Sequence, residues 1–491
     1  MTVRRTVHLI VNPVAGHAKA PEVVTSHVIP ILDESQTPYK LHTTTAPRDA
    51  GTIGRSILDN DRAGAADSSS KITVIIAGGD GTTHEFIEGV LDVSSELKNE
   101  QSVLRGVWEI VILPFGTANA LYSSLFPPTT PTPEFESLQS LSHPIPSDVL
   151  PKLYSLFSFL DKSSTPLPLP ITLTTLVPPV CHTPIASEQP IRRSGREEST
   201  IIPSHVVLST SLHACILQTS ETLRAAHPGP ERFRIAAQQS ASRFFEAKAR
   251  LSPPRQTSGE VEQWDPKKRE FVKPYTHTIG PTPNVDGRER RVVEIGGPFA
   301  YFLSTSTVDR LEPTFVVSPK TSLRPAELTP TTISSSPKES TSLPGAGEGN
   351  RQEDGGDIDN GRWIYVTILR PLRDPRVIAA PAEQRGEVWS RRAFEVLGKA
   401  YQQGTHIDLT YPVSPPAENL DDETESRGQG DTVVELFRCG SFEWIPLEED
   451  ERTRLVCADG ALHLIPIGGH AEVGLKVPVE GEDCWSFAVW A

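Results

Sequence analysis

The sequence predicts an α/β domain with a mostly parallel sheet, followed by a C-terminal antiparallel β-sandwich domain. Residues 6–125 alternate apolar strand-like runs with segments of helical period. Three of those strands end in loops of small residues, at Asn12–Gly16, Gly78–Thr82 and Gly116–Asn119. Beyond about His205 the pattern changes to many short strands separated by turn residues, which reads as an antiparallel domain. A length of 491 residues also exceeds what one core supports, so two domains plus looser segments are expected.

The elements of the first domain follow in order. VHLIVNP is a buried strand ending in a turn, and Val24, Val28, Ile31 and Leu32 recur at helical spacing between Pro21 and Asp33. YKLHTTT is the second strand. PRDAGTIGRSIL is a second helix, with Ala50, Ile53 and Ile57 on one face. ITVIIAGGDG holds the third strand and its loop, with a helix from Thr83 to about Leu91, and WEIVILPFGTANALYSSL repeats strand, glycine loop and helix. Such alternation implies right-handed crossovers and a sheet covered on both faces, with ligands at the carboxyl ends of the strands. The three small-residue loops all lie just past such ends.

The first domain is therefore assigned to residues 1–126, a Pro/Ser/Thr-rich connector to 127–203, and the β-sandwich domain to 204–491. In the last, HVVLSTSLHACIL reads as a strand. A long helical pattern follows in SETLRAAHPGPERFRIAAQQSASRFFEAKARL, broken at His227-Pro228-Gly229-Pro230. Short strands then appear in RRVVEIGG, AYFLSTST, RWIYVTILR, HIDLTYP, TVVELFRCG, EWIPLE, RLVCADG and ALHLIPIG. Segments 318–361 and 414–430 are rich in Ser, Thr, Pro, Glu and Gly and read as disordered inserts.

Composition narrows the partners. Hydrophobic residues are only 37 % and prolines number 45, in keeping with some length outside the cores. With 62 acidic against 47 basic side chains the net charge is −15, which argues against nucleic acid and against strong attraction to anionic membrane. The cysteines (Cys181, Cys215, Cys439, Cys457, Cys484) form no CxxC pair or His cluster, so they read as reduced, packed side chains. No run approaches a spanning helix and no secretory leader is legible. The expected location is cytoplasmic, with peripheral contact at membranes.

The loop IIAGGDGTT is the most informative motif. Removing side chains at Gly78, Gly79 and Gly81 lets backbone N–H groups approach a phosphate, and the following helix adds its positive end. Asp80 stands at its centre, an acceptor for a metal ion or a hydroxyl proton. A GGDG run is also compatible with a tight surface turn. It lacks the third glycine of the dinucleotide fingerprint, and the chain has neither GxxxxGK[ST] nor the HRD and DFG set of protein kinases. Asn12-Pro13-Val14-Ala15-Gly16 and Gly116-Thr117-Ala118-Asn119 are weak alone, Thr117 being a candidate helix N-cap. Three such loops on one sheet edge are hard to dismiss.

NPVAG, GGDGTTHEFIEGVL and LPFGTANAL resemble, in order and spacing, the diacylglycerol kinase catalytic-domain family, which includes sphingosine, ceramide and bacterial lipid kinases. SETLRAAHPGPERF, VVELFRCGSFEWIP and CADGALHLIP continue the resemblance more faintly. It implies an NAD kinase-like first domain and a β-sandwich second one, with ATP and Mg²⁺ used to phosphorylate a lipid hydroxyl. It places Asn12, Pro13, Gly16, Gly78, Gly79, Gly81, Thr82, Gly116, Thr117, Ala118 and Asn119 around the nucleotide. Asp80 becomes the catalytic acceptor or Mg²⁺ organiser, and Glu85 lines the same site. Arg224 and Arg232 match arginines that approach phosphates, and Asp459-Gly460 matches a late Asp-Gly-Glu motif. On the residues alone, the arginines read equally as surface charges and Asp459-Gly460 as a hairpin turn.

Two departures qualify this. Ala461 stands where the late motif has its acid. Leu217 stands where sphingosine kinases carry an aspartate near the substrate amine, and a buried ammonium opposite Leu217 is unpaired, which favours a neutral lipid alcohol. The alternatives are a catalytically impaired nucleotide- or lipid-binding relative, which Ala461 motivates, and a kinase of a soluble substrate, since NAD kinases share a Gly-Gly-Asp-Gly loop.

Overall fold

The computed structural model describes residues 7–64, 70–96, 106–128, 133–139, 141–142, 144–179, 200–229, 231–254, 259–274, 278–282, 290–323, 363–412, 430–476 and 485–491. A six-stranded sheet forms the N-terminal part. Its parallel strands are β1 (Val7–Val11), β2 (Tyr39–Thr43), β3 (Ser70–Gly78) and β4 (Gly106–Pro114), in spatial order β2-β1-β3-β4. Strand Trp485–Val489 then pairs with β4 in parallel, and the short strand Leu167–Pro168 closes the edge antiparallel.

Side-chain alternation along these strands builds two cores. Leu9, Val11, Ile75, Ala77, Val111 and Leu113 face one side, where they pack with Val24, Val28, Ile31, Leu32, Leu156 and Phe157. Ile10, Val74, Ile76, Ile110 and Ile112 face the other, against Ala50, Ile57, Phe86, Ile87 and Val90. Covering both faces is why β1, β3 and β4 read as continuous apolar runs, whereas the edge strand β2 is largely exposed. The helical stretch Ala20–Glu34 runs through one π-helical segment at Val24–Val28.

The second part consists of an eight-stranded and a seven-stranded antiparallel sheet. Ala249, Leu251, Ile295, Phe442, Trp444 and Val473 from one interleave with Phe302, Val366, Ile368, Phe437 and Val456 from the other. This is the expected sandwich.

Several local expectations need correction. The segment read as a connector, 127–203, carries helix Tyr154–Leu160 and strands Ile171–Val177 and Thr200–Ser204. Its Leu153, Leu156 and Phe157 are fully buried, so apolar patterning there overrode the Pro and Thr content. The strand read over HVVLSTSLHACIL stops at Thr210, and Ser211 with φ 57° opens helix Ser211–Leu223. The long helical pattern ends at Ser240, and AKARLS is a strand burying Ala247, Ala249 and Leu251 at period two. HIDLTYP begins inside a 3-10 turn, Thr405–Asp408. Helix Arg385–Gly398 and strands His470–Lys476 and Trp485–Val489 were not anticipated. Of the expected inserts, residues 318–323 are described, with Ser318 and Thr321 buried, as is residue 430; 324–361 and 414–429 lie outside the described residues. Cys215, Cys439 and Cys457 are free and buried, while Cys181 and Cys484 lie outside the described residues. No helix among the described residues is long and apolar enough to cross a membrane.

Candidate active site

The three small-residue loops meet at the carboxyl edge of the parallel sheet. β3 ends at Gly78, and Gly79 O accepts the N–H groups of Thr82 and Thr83 at 3.0 and 3.2 Å as helix Asp80–Glu96 begins. Asn12 Nδ2 donates to Thr82 Oγ1 at 3.0 Å, and Asn12 N–H to Ala77 O at 3.0 Å, which joins the first loop to the second. A Cβ on Gly78 would stand 2.7 Å from Thr82 Cβ, so Gly78 makes room for this fold-back. Phe115 N–H donates to Gly78 O at 2.7 Å, joining the third loop. Asn119, at φ 53°, accepts from Gly116 N–H and donates to Gly116 O, which closes that loop on itself. Gly16 (φ 64°) sits against Phe115. Pro13, Ala118 and Glu85 are half-buried, and Gly81 and Thr117 are exposed at the rim.

Asp80 has a more specific place than the loop pattern implies. Its Oδ2 accepts Ala120 N–H at 2.7 Å and its Oδ1 accepts Leu121 N–H at 3.3 Å. It thereby caps helix Ala120–Leu125 from outside, the role expected of Thr117; Asn119, at the N-cap position, makes no side-chain cap bond. Burial pushes the Asp80 carboxyl above the ordinary carboxylate value, against the pull of His205 and the two amides, and Asp459 adds to the rise. A carboxyl held up in this way is a proton acceptor with some basicity at neutral pH.

Asp459 is the second acidic centre, in the hairpin between strands Leu455–Ala458 and Ala461–Leu464. The hairpin is a turn as the bland reading expected, but with φ 50° at Asp459 it aims the carboxylate inward, with no side-chain exposure. Oδ1 accepts the N–H groups of Val206 and Val207 at 2.9 and 2.8 Å, and Oδ2 that of His205 at 2.8 Å. Oδ2 also lies 3.1 Å from His84 Nδ1 and 2.7 Å from His205 Nδ1. Burial opposes ionisation, yet His205 and His84 hold the carboxyl far below its usual range. Burial likewise opposes a charge on His84, but Asp459, Glu88 and Glu85 raise its affinity for a proton on balance. His463, on strand Ala461–Leu464, is held down at about 4 by burial and by the charges of His84 and Arg48.

The two arginines separate from this cluster. Arg224 is exposed and pairs with Glu221 at 2.6 Å. Arg232 donates from Nη1 to Pro228 O and Gly229 O and stacks over Phe233. Among the described residues, no hydrogen bond or ion pair carries either one to the three loops. Sequence reasoning missed the histidines. His84 was legible, being one turn after Asp80 on the same helix face; His205 had no local signal, because only the hairpin at Asp459 brings it in.

Mg²⁺ takes oxygen ligands in near-octahedral geometry. Asp80 keeps a lone pair on each oxygen beyond its two amide contacts, whereas Asp459 is ringed by amides and imidazoles, so of the two carboxylates Asp80 is the one that fits an oxygen-ligated Mg²⁺.

The architecture is thus a parallel-sheet α/β unit with glycine loops gathered at one edge, joined to an antiparallel β-sandwich through Asp459. Residues 6–150 match the family described as the diacylglycerol kinase catalytic domain. A crystal structure described as a diacylglycerol kinase from Bacillus anthracis str. Sterne aligns at 11 % identity, covering 100 % of this chain and 98 % of that one, with a TM-score of 0.41. Two further structures from that organism align at 12 % identity with the same coverage and TM-scores of 0.44 and 0.43. Likeness at this level carries nothing about activity. No curated protein matches the sequence.

Proposed function

We propose that the chain is an ATP-dependent lipid kinase that transfers the γ-phosphoryl group to the hydroxyl of a neutral lipid alcohol. The observation that carries this reading is the joining of the NPVAG, GGDGT and GTANA loops beneath Asp80, inside the segment that matches the diacylglycerol kinase catalytic domain. Backbone N–H groups at Asp80 and Gly81, where helix Asp80–Glu96 begins, cradle the phosphates, with Asn12, Pro13, Gly79, Gly116, Thr117 and Ala118 bordering the nucleotide. Mg²⁺ arrives with ATP. The lipid oxygen attacks the γ-phosphorus, the bond to the β-bridging oxygen breaks, and Asp80 takes the hydroxyl proton. Positioning and charge do most of the work in such a transfer.

A neutral acceptor is favoured by the surroundings of Leu217. It packs with Leu462 against Ala214, Leu455 and Cys457, so the Leu217 side chain itself offers an apolar contact and no carboxylate to an ammonium. Lipid delivery requires peripheral membrane contact. A second reading, a nucleotide- or lipid-binding relative without turnover, is supported by Ala461 and by the amide contacts that already occupy Asp80 and Asp459.

Purified protein incubated with Mg-ATP and vesicles containing diacylglycerol, ceramide or sphingosine tests both. The expected result is phosphate transfer to diacylglycerol or ceramide, abolished by Asp80→Asn. ATP binding without transfer to any acceptor establishes the second reading instead.

A further inference from the structure

Three donors converge on one oxygen at Asp459. Oδ2 accepts the His205 N–H at 2.8 Å and faces the Nδ1 atoms of His84 and His205 at 3.1 and 2.7 Å. A carboxylate oxygen has two lone pairs, so it is over-subscribed. The Nδ1 of His205 is thus pressed against an oxygen that is already engaged, and among the described residues its Nε2 has no hydrogen-bond partner, although the residue is 1 % exposed. Burying an imidazole with one nitrogen crowded onto an over-subscribed oxygen and the other unpaired is unfavourable and calls for a physical reason.

A cation shared by the three side chains supplies one. Each of the two Nδ1 atoms then offers a lone pair in place of a proton, and a small outward shift from 2.7 and 3.1 Å to the roughly 3.3 Å ligand–ligand separation of a tetrahedral site relieves the crowding at Oδ2. We propose that His84 Nδ1, His205 Nδ1 and Asp459 Oδ2 bind a divalent transition-metal ion of the zinc class. One donor atom from each lies within 4.8 Å of the others, and all three residues are buried. Two imidazoles and one carboxylate suit zinc rather than Mg²⁺ or Ca²⁺. The carboxylate is fixed from behind by the Val206 and Val207 amides, the outer-shell support that metal ligands have. Three protein ligands leave a fourth position for water or an anionic oxygen.

The ligands come from helix Asp80–Glu96, the segment between strands Thr200–Ser204 and Val207–Thr210, and the Asp459 hairpin. The ion therefore clamps the glycine-loop helix to the sandwich. This holds whether or not the chain phosphorylates lipids, so its test does not use activity.

Full-length protein is stripped with a chelator and titrated with Co²⁺ alone, then with ZnCl₂ or MgCl₂ alone. The expected results are one equivalent of Co²⁺ with visible ligand-field absorption, displacement by Zn²⁺, and a rise in Tm with Zn²⁺ but not with Mg²⁺. His84→Gln and His205→Gln each weaken uptake by roughly tenfold or more. Absence of stoichiometric uptake by the wild-type chain overturns the proposal, as does unchanged affinity in His205→Gln. If a variant fails to fold, the wild-type cobalt spectrum and Zn²⁺ shift decide alone. Kinase activity without metal uptake sinks only the metal site; metal uptake without kinase activity sinks only the kinase.

Discussion

Gly79 and Gly116 touch backbone to backbone. A Cβ on Gly79 would stand 2.6 Å from the Cα of Gly116, and a Cβ on Gly116 would stand 2.5 Å from the Cα of Gly79. Neither neighbour is a flexible side chain, so the loops must part to admit a methyl group. Gly79→Ala and Gly116→Ala are each expected to lower stability by about 1–3 kcal/mol in urea unfolding. Gly81 has nothing within 4 Å of its Cβ position, and Gly81→Ala is expected to leave stability unchanged or slightly raised. If Gly81 borders the nucleotide, that variant nonetheless weakens ATP binding in a direct binding assay. Equal stability losses at all three positions would refute the close approach.

Asp80 is expected to show two separable effects. Asp80→Ala leaves the Ala120 and Leu121 N–H groups without their acceptor, and the loss of such a cap costs about 1 kcal/mol. Asp80→Asn keeps one carbonyl acceptor, so it should retain most of the stability while losing phosphoryl transfer. The raised carboxyl value sets a sign as well. Ionised Asp80 is penalised in the native state, so its contribution to stability is greatest at low pH and declines as pH rises through the native pKa. Asp80→Asn removes that decline. Thermal melts of both variants across pH check it, and a stability loss in Asp80→Asn equal to that in Asp80→Ala would dismiss the capping role.

The arginines should behave oppositely. Arg224 pairs with Glu221 in solvent, and Arg224→Ala is expected to alter stability by less than about 0.5 kcal/mol. Arg232 is 8 % exposed and holds two carbonyls of the Pro228-Gly229 turn, so Arg232→Ala should destabilise by about 1–3 kcal/mol. Guanidinium denaturation of both variants measures this. Equal stabilities would show that Arg232 does not brace the turn.

Legibility in the sequence followed the range of the interactions. β1, β3 and β4 were readable because both faces are covered, and the loops at Asn12, Gly79 and Gly116 because small residues mark close backbone approach. Strand Trp485–Val489 was not readable: its partner, Gly106–Ile110, lies far off in sequence, and nothing local says which sheet it joins. His205 failed for the same reason, since its significance arises only from Asp459. Asp80 was found as an acceptor, but its tie to Ala120 and Leu121 depends on loops meeting in space. AKARLS was misassigned because its alanines and charges favour helix until its period-two burial is seen.

His406 lies in the 3-10 turn Thr405–Asp408 that replaced an expected strand, and it is 1 % exposed. Its Nε2 donates to Val317 O at 3.2 Å, and burial pulls its value down from 6.5 to about 4, against the Val317 and Gly404 contacts and the charge of Asp408. The unfolded chain takes up this proton near pH 6.5 and the native chain only near 4, so U binds more protons in that window. Stability therefore rises with pH there: it is full above 6.5 and falls by up to about 3 kcal/mol as pH drops toward 4. His213, bonded to Ser209 Oγ at 2.7 Å and also lowered to about 4 by burial, adds a second slope of the same sign. His406→Gln keeps a donor for Val317 O and removes one titration. Urea unfolding at pH 7 and pH 4.5 should show a smaller loss for His406→Gln than for the wild type, and parallel losses would mean that His406 is not held neutral by burial.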